Sequence, residues 1–155
     1  MKSVWRSGTG SSRGVANAMS AFIDSNIFLY LIDPEMTNKR PVAAELMRGL
    51  YMAGQAVIST QVLQEFYNVA TKKFGLPRKE VADTAQLYGQ TRVVQMTLAI
   101  VFAAMRRHAD GQFSFWDALI VEAALSAGCK TLYSEDMQHG LVLDGMTIEN
   151  PFLGL

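Results

Sequence analysis

The chain has 155 residues, half of them hydrophobic and 18% of them charged, and its formal net charge at pH 7 is zero. This composition excludes a disordered chain, and it excludes a global positive field that would attract nucleic acid. The length fits one domain with a sizeable core, and the apolar runs are too short to span a bilayer. A single cysteine, Cys129, allows no internal disulfide and is typical of a reducing cytoplasm.

The first 18 residues differ in composition from the rest of the chain. They are rich in Ser and Gly, carry Lys2, Arg6 and Arg13, and lack the apolar run of a secretory signal. We predict that residues 1–18 are a flexible extension or a non-native leader, with Met19 as a candidate start. A single domain is then expected over residues 19–155.

From residue 19 onwards, short apolar runs alternate with amphipathic stretches. Strands are predicted at residues 21–23, 56–58, 92–96, 130–134 and 146–148. Helices are predicted at residues 25–32, 41–50, 60–74, 77–88, 97–108 and 115–127, the last capped by Ser114 and ended by Gly128. This alternation predicts a three-layer α/β domain, with a parallel sheet between two layers of helices.

The last of these helices carries an acid in an unexpected position. At about 100° per residue, Asp117 falls on the apolar helix face that also holds Ile120, while Glu122 points towards solvent. Phe115 and Trp116, which precede Asp117, are predicted to pack in the core. A carboxylate on an apolar face is costly unless a cation or a shared proton meets it. Asp117 is therefore a candidate site residue.

Three further acids are placed near Asp117 by the predicted sheet. Asp24 follows the first strand and Asp136 follows the fourth, and the carboxyl ends of parallel strands meet at a crevice at the topological switch point. Glu65 lies at the edge of the apolar arc of its helix, where it can face a cleft beside the core. We predict that Asp24, Glu65, Asp117 and Asp136 share this crevice.

Each acid also has a simpler explanation when it is taken alone. Asp24 could form an Asx turn that caps the following helix, and Asp117 could belong to a capping box with Ser114. Glu65 could be a solvated helix acid, and Asp136 with Glu135 could form an ordinary polar turn. As a set, however, like charges in one cleft repel each other unless a cation neutralises them, and all-oxygen ligands suit Mg²⁺ or Mn²⁺. The four acids therefore predict a carboxylate metal site.

The chemistry of such a site indicates a substrate class. A hard divalent ion polarises a phosphoryl oxygen and activates water, and two ions roughly 3.5–4 Å apart do this in phosphodiester cleavage. A bound cation also reverses the local sign, so that an anionic backbone can approach the acids. Basic residues that could contact flanking phosphates cluster at one helix junction: Lys72, Lys73, Arg78 and Lys79.

These residues make the chain resemble PIN-domain proteins of the VapC toxin type. The matching segments are Phe22-Ile-Asp24-Ser25-Asn26-Ile-Phe-Leu-Tyr30, Ser59-Thr60-Gln61 through Glu65-Phe66, Phe115-Trp-Asp117-Ala-Leu-Ile120, Leu132-Tyr-Ser134-Glu135-Asp136-Met137 and Ile148-Glu-Asn150-Pro-Phe152. The resemblance implies a PIN-like domain over residues 19–155, with a mainly parallel five-stranded sheet in the order 3-2-1-4-5. The leader before Met19 departs from the family pattern.

The resemblance also implies a function. It implies a Mg²⁺- or Mn²⁺-dependent endoribonuclease of the cytoplasm, the toxin of a type II toxin–antitoxin pair. Its implied partners are RNA, a cognate antitoxin whose tail enters the cleft, and a second copy in a homodimer, without membrane contact. The implied catalytic and metal-binding residues are Asp24, Glu65, Asp117 and Asp136. The implied supporting residues are Ser25, Asn26, Ser134 and Glu135.

Two other functions are open at this point. A phosphatase could use Asp24 as its nucleophile, although haloacid-dehalogenase-like enzymes require a second Asp where this chain has Asn26. A binding module could keep the fold without the chemistry, although all four acids are present.

Overall fold

A computed structural model describes residues 19–155, so the predicted extension over residues 1–18 lies outside the described part of the chain. The strands are β1 (Ala21–Ile23), β2 (Ala56–Ser59), β3 (Arg92–Val94), β4 (Thr131–Tyr133), β5 (Val142–Leu143) and β6 (Met146–Glu149). The helices are α1 (Ser25–Tyr30), α2 (Arg40–Met52), α3 (Thr60–Lys72), α4 (Arg78–Tyr88), α5 (Leu98–Ala109) and α6 (Phe115–Ser126). None of these helices is both long and apolar enough to cross a membrane.

The strands form one sheet in the order β3-β2-β1-β4-β6-β5. All neighbours are parallel except β5 and β6. The steps from β1 to β2 to β3 run in one direction across the sheet, and the step from β3 to β4 runs back. Right-handed crossovers therefore place α1 to α4 on one face and α5 and α6 on the other. The predicted α/β class, with a mainly parallel sheet between helices, is confirmed.

The predicted strand count was too low by one. The strand expected last in the chain is β6, which pairs with β4 as anticipated, but β5 adds an antiparallel edge beside it. Its connection to β6 is the turn at Asp144 and Gly145, whose φ angles are 48° and 83°. Two consecutive positive φ values define the tight hairpin turn that Asp-Gly favours. The Asp-Gly pair in the sequence indicates this turn. The strand before it, however, has only two residues, which are too few to show an alternation of apolar and polar side chains.

The caps predicted for α6 at Ser114 and Gly128 are present, and α3 and α5 begin with caps of the same kind. Side-chain oxygens of Ser59, Thr97 and Ser114 accept hydrogen bonds from backbone N–H groups in the first turns of α3, α5 and α6. Gly128 follows α6 with φ of 71°, a left-handed conformation that residues with a side chain rarely adopt. Because Ser59 is also the last residue of β2, its cap starts α3 directly at the end of that strand.

Helix α6 is buried on most sides, and this corrects two predictions. Glu122 does not point into solvent: it pairs with Arg107 of α5 at 2.6 Å, and its side chain is 17% exposed, because α5 packs on that face. Trp116 does not pack in the core: it is 64% exposed, because it lies in the first turn, before the buried run that starts at Ala118.

The core beside the site should be sensitive to truncation. Phe66 on α3 is 1% exposed and stacks edge-on against Tyr88 at 5.1 Å, whereas the next residue, Tyr67, is 38% exposed. We expect Phe66→Ala to lower the free energy of unfolding by about 3–5 kcal/mol, because it leaves a cavity. The matched variant Tyr67→Ala should cost on the order of 0.5–1 kcal/mol. Urea unfolding measures both, and equal losses would contradict the described packing.

Candidate active site

The site lies at the carboxyl ends of β1 and β4, which are neighbours in the sheet. Their register pairs Ile23 with Tyr133, so Asp24 and Ser134 follow side by side. The backbone N–H of Asp24 donates to the Tyr133 carbonyl at 3.0 Å. From β1 the chain continues to β2 on one side of β1, and it later returns to β4 on the other side. The order of the strands therefore reverses between β1 and β4, and α/β domains bind ligands at such a topological switch point.

Asp24 is the buried centre of the site. The residue is 4% exposed, and its carboxylate accepts a hydrogen bond from the Ser25 N–H at 2.7 Å and another from the Ser134 hydroxyl at 2.7 Å. The Ser134 oxygen in turn accepts from the Asp136 N–H at 3.3 Å. Asp24 does cap α1, as the simpler explanation suggested. Asp24 also interacts with Asp136, the acid that follows β4. A residue that served only as a helix cap would not need this second acid beside it.

Glu65 is held by two donors. Its Oε2 accepts from the Ser25 hydroxyl at 2.6 Å, and its Oε1 accepts from the Gln61 amide at 2.8 Å. The side chain is half-buried. These contacts exclude the simpler reading of Glu65 as a solvated helix acid, and they bring α3 to the start of α1.

The remaining two acids lie around the mouth of the site. Asp117 is half-buried in the first turn of α6, where its N–H donates to the Ser114 hydroxyl oxygen at 3.2 Å. Asp136 is exposed, and its Oδ2 accepts from the Asn26 amide at 3.2 Å. The predicted acids Asp24, Glu65, Asp117 and Asp136 are therefore brought to one edge of the sheet. Ser25, Asn26 and Ser134 link Asp24, Glu65 and Asp136 by hydrogen bonds, whereas Asp117 interacts with Glu65 and Asp136 through charge.

Electrostatics show how closely these acids interact. Burial, with a smaller contribution from the charges of Glu65 and Asp136, raises the pKa of Asp24 to about 7, against the hydrogen bonds from Ser134 and Ser25. Burial also raises the pKa of Asp117, with Asp136 and Glu65 adding to the effect and Ser114 opposing it. The charges that act on both groups are negative, so the cleft favours either protons or a cation.

The donor chemistry of the site fits a hard divalent cation, although the side chains do not form a closed coordination shell. Within residues 19–155, no three Asp, Glu, His or Cys side chains are grouped closely enough to hold a metal ion. However, two buried amide oxygens of that part of the chain have no hydrogen-bond partner, Asn26 Oδ1 and Gln61 Oε1. Both amides donate to site acids. Carboxylate and amide oxygens are the ligands that Mg²⁺ and Mn²⁺ prefer.

Glu135, predicted as a supporting residue, has contacts apart from the four acids. It forms an ion pair with Lys39 and accepts a hydrogen bond from the Tyr30 hydroxyl. The Lys39 ammonium also lies over the rings of Tyr30 and Phe152, 4.7 and 5.6 Å from their centres. These contacts anchor the loop that carries Asp136. A role for Glu135 in the chemistry stays a prediction.

Two residues of this site region were missed at the sequence level. Gln61 could have been found, because it lies four residues before Glu65 on the same helix, a spacing that places the two side chains together. Lys39 could not, because its partner Glu135 is 96 residues away and no local pattern joins them.

The raised pKa of Asp24 predicts how stability depends on pH. In metal-free buffer, folded Asp24 keeps its proton up to about pH 7, whereas the unfolded chain loses it near the ordinary value of 3.8. The folded state therefore binds more protons between these values, and stability should fall as the pH rises through this window. Asp24→Asn cannot ionise and should lack this fall. Urea unfolding of both proteins from about pH 4 to about pH 8 measures it, and parallel curves would contradict the burial of Asp24.

Comparison with known proteins identifies the family. The PIN domain family model matches residues 21–140. A search of curated proteins gives no match.

Solved structures share the fold at low sequence identity. A toxin–antitoxin complex from Klebsiella pneumoniae is 18% identical, with a TM-score of 0.65, and the match covers 86% of this chain and 98% of that one. VapC20 of Mycobacterium tuberculosis, a Sarcin-Ricin loop cleaving toxin, is 20% identical, with a TM-score of 0.57 and coverage of 73% and 87%. VapBC2 of Rickettsia felis, bound to a promoter DNA fragment, is 17% identical, with a TM-score of 0.58 and coverage of 85% and 98%. Since the family match spans most of the chain and the sheet has the same architecture, this protein belongs to the PIN domain family.

Proposed function

We propose that this protein is a Mg²⁺- or Mn²⁺-dependent endoribonuclease that hydrolyses RNA phosphodiester bonds, and that it is the toxin of a type II toxin–antitoxin pair. The observation that carries the proposal is the buried Asp24 at the switch point, with Glu65, Asp117 and Asp136 around it. Membership of the PIN family and the likeness to toxin structures support the same conclusion.

The four acids would hold the ion, and the neutral side chains would orient them. A divalent ion in this cleft would polarise the phosphoryl oxygen and lower the pKa of the attacking water. Ser25 has two roles, since its N–H binds Asp24 and its hydroxyl binds Glu65. Ser134 holds the second oxygen of Asp24, and Asn26 holds Asp136. Such outer contacts fix the orientation of carboxylate ligands.

Basic residues beside the cleft support a polyanionic substrate. Lys72 lies seven residues after Glu65 on α3, which places it on the same helix face and on the order of 10 Å along the axis. It is exposed, and so are Lys73, Arg78 and Lys79 at the junction with α4. An RNA strand whose scissile phosphate sits at the acids could therefore meet positive charge at a flanking phosphate.

The alternative functions receive less support from the geometry. A phosphatase would need Asp24 as a free nucleophile, yet both of its oxygens accept hydrogen bonds and the side chain is buried. A binding module without chemistry would not need a carboxylate whose pKa is raised by burial and, to a smaller extent, by neighbouring acids. An antitoxin that covers the cleft and a location in the cytoplasm are part of our proposal.

We also propose that the protein forms a homodimer through α5. Leu98, Phe102 and Met105 are all exposed and recur at helical spacing, so they form one apolar stripe on this helix. The stripe lies on the opposite side of α5 from the buried Ile100 and Ala104, which pack towards the domain. A second copy could cover the same stripe by two-fold symmetry, which is the commonest arrangement of soluble oligomers.

Cleavage assays test the nuclease. Purified protein with Mn²⁺ should cut RNA into discrete fragments, and EDTA should abolish the cutting. Asp24→Asn should lower the rate by at least about 100-fold, because it removes a group that stabilises developing charge through the ion. The control Asp83→Asn removes an exposed acid on α4 and should retain wild-type activity. Equal cutting by wild type and Asp24→Asn would refute the site assignment.

Light scattering after size-exclusion chromatography tests the homodimer. Wild type should elute with twice the monomer mass, and Phe102→Glu should elute as a monomer, because it buries a charge in the proposed interface. Leu87→Glu, at an exposed apolar position on α4, should remain a dimer. A monomeric wild type at micromolar concentration would contradict this part of the proposal.

A further inference from the structure

Gln61 is a buried polar residue that joins two helices at the site. It lies in the first turn of α3 and is 5% exposed. Its Nε2 donates to Glu65 Oε1 at 2.8 Å and to the Trp116 carbonyl at 3.2 Å. Trp116 immediately precedes Asp117, so this one amide connects the helix that carries Glu65 to the first turn of the helix that carries Asp117.

These two contacts determine how the amide is oriented. A carboxylate and a carbonyl both accept hydrogen bonds, so the NH₂ group must face them and the oxygen must face elsewhere. Gln61 Oε1 is then a buried acceptor for which the described residues provide no donor. Leaving such a group unpaired costs about 1–3 kcal/mol. In an ordinary core position, nothing would compensate for this unpaired acceptor. In a site that binds a hydrated ligand, the ligand could provide the missing donor.

The neighbourhood of Gln61 indicates what that ligand is. Asn26 repeats the arrangement at another of the four acids: its amide NH₂ group donates to Asp136, and its oxygen is buried without a partner among the described residues. Two amides that each bind a site acid and each keep a buried oxygen without a partner suit a ligand that is positive and carries O–H donors. A hydrated divalent cation has both properties.

We propose that Gln61 is a positioning residue for the metal site of the proposed nuclease. It bridges α3 and α6 and so sets the separation between Glu65 and Asp117, and its buried, unpartnered Oε1 would be available to a hydrogen-bond donor of the bound ligand. This inference rests on the proposed function and adds to it a residue outside the four acids. An apolar side chain of similar volume would fill the space but provide neither contact.

Calorimetric titration with Mn²⁺ tests this role without relying on activity. Gln61→Leu should raise the apparent dissociation constant for Mn²⁺ by about 10-fold, as the loss of an outer contact to a metal ligand does. Its RNA cleavage should fall at limiting Mn²⁺ and recover in large part at saturating Mn²⁺. The melting temperature of the metal-free protein should stay close to that of wild type. Gln64→Ala, a matched change at an exposed position of α3, should alter none of these values.

A second variant covers the case in which Gln61→Leu does not fold. Gln61→Asn keeps the amide but is one methylene shorter, so it cannot bridge Glu65 and the Trp116 carbonyl, and it should weaken Mn²⁺ binding in the same way. Wild-type affinity in a folded variant, or a loss of cleavage that saturating Mn²⁺ does not restore, would overturn the proposal. The proposed function would then still stand, because wild type would cleave and Asp24→Asn would not. If wild type bound no Mn²⁺, the proposed metal-dependent nuclease and the proposed role of Gln61 would both be wrong.

Discussion

The buried carboxylate of Asp24 is the feature on which the rest of the site depends. A carboxylate removed from water is tolerated only where donors or a cation meet it. Ser25 and Ser134 each provide one donor at 2.7 Å, yet burial still raises the pKa to about 7. The neighbouring acids Glu65 and Asp136 make the charged form of Asp24 still less favourable. A group held in an unfavourable state at the switch point of a parallel sheet is typical of a functional site rather than of a structural one.

Neutral side chains make the contacts that join the acids. Ser25 links α1 to Glu65 on α3, and Ser134 links Asp24 to the loop that carries Asp136. Hydroxyl and amide groups donate hydrogen bonds without adding positive charge. They therefore orient the carboxylates and preserve the negative potential that attracts a cation. Lys39, by contrast, binds Glu135 and fixes the loop from the other side.

The misses in the sequence-based prediction have physical reasons. Helical periodicity assumes that one face is buried, but α6 is packed on several sides, so Glu122 was placed in solvent although it pairs with Arg107. Trp116 was placed in the core because a large aromatic residue usually is, although the first turn of α6 leaves it exposed. The extra strand β5 was not predicted, because two residues are too few to show an alternation of apolar and polar side chains. Asp144 and Gly145 nevertheless indicate the turn that follows it.

The sequence by itself determined every element except β5, the caps of α6 and the α/β class, because these follow from local periodicity and from side chains that bond within one helical turn. It also singled out the acids, since a carboxylate beside an apolar run is unusual whatever the tertiary fold. Only the tertiary structure decided their partners. The bond between Asp24 and Ser134 and that between Asn26 and Asp136 each span 110 residues. Such pairs depend on which strands become neighbours and in what register, and this is a property of the assembled sheet.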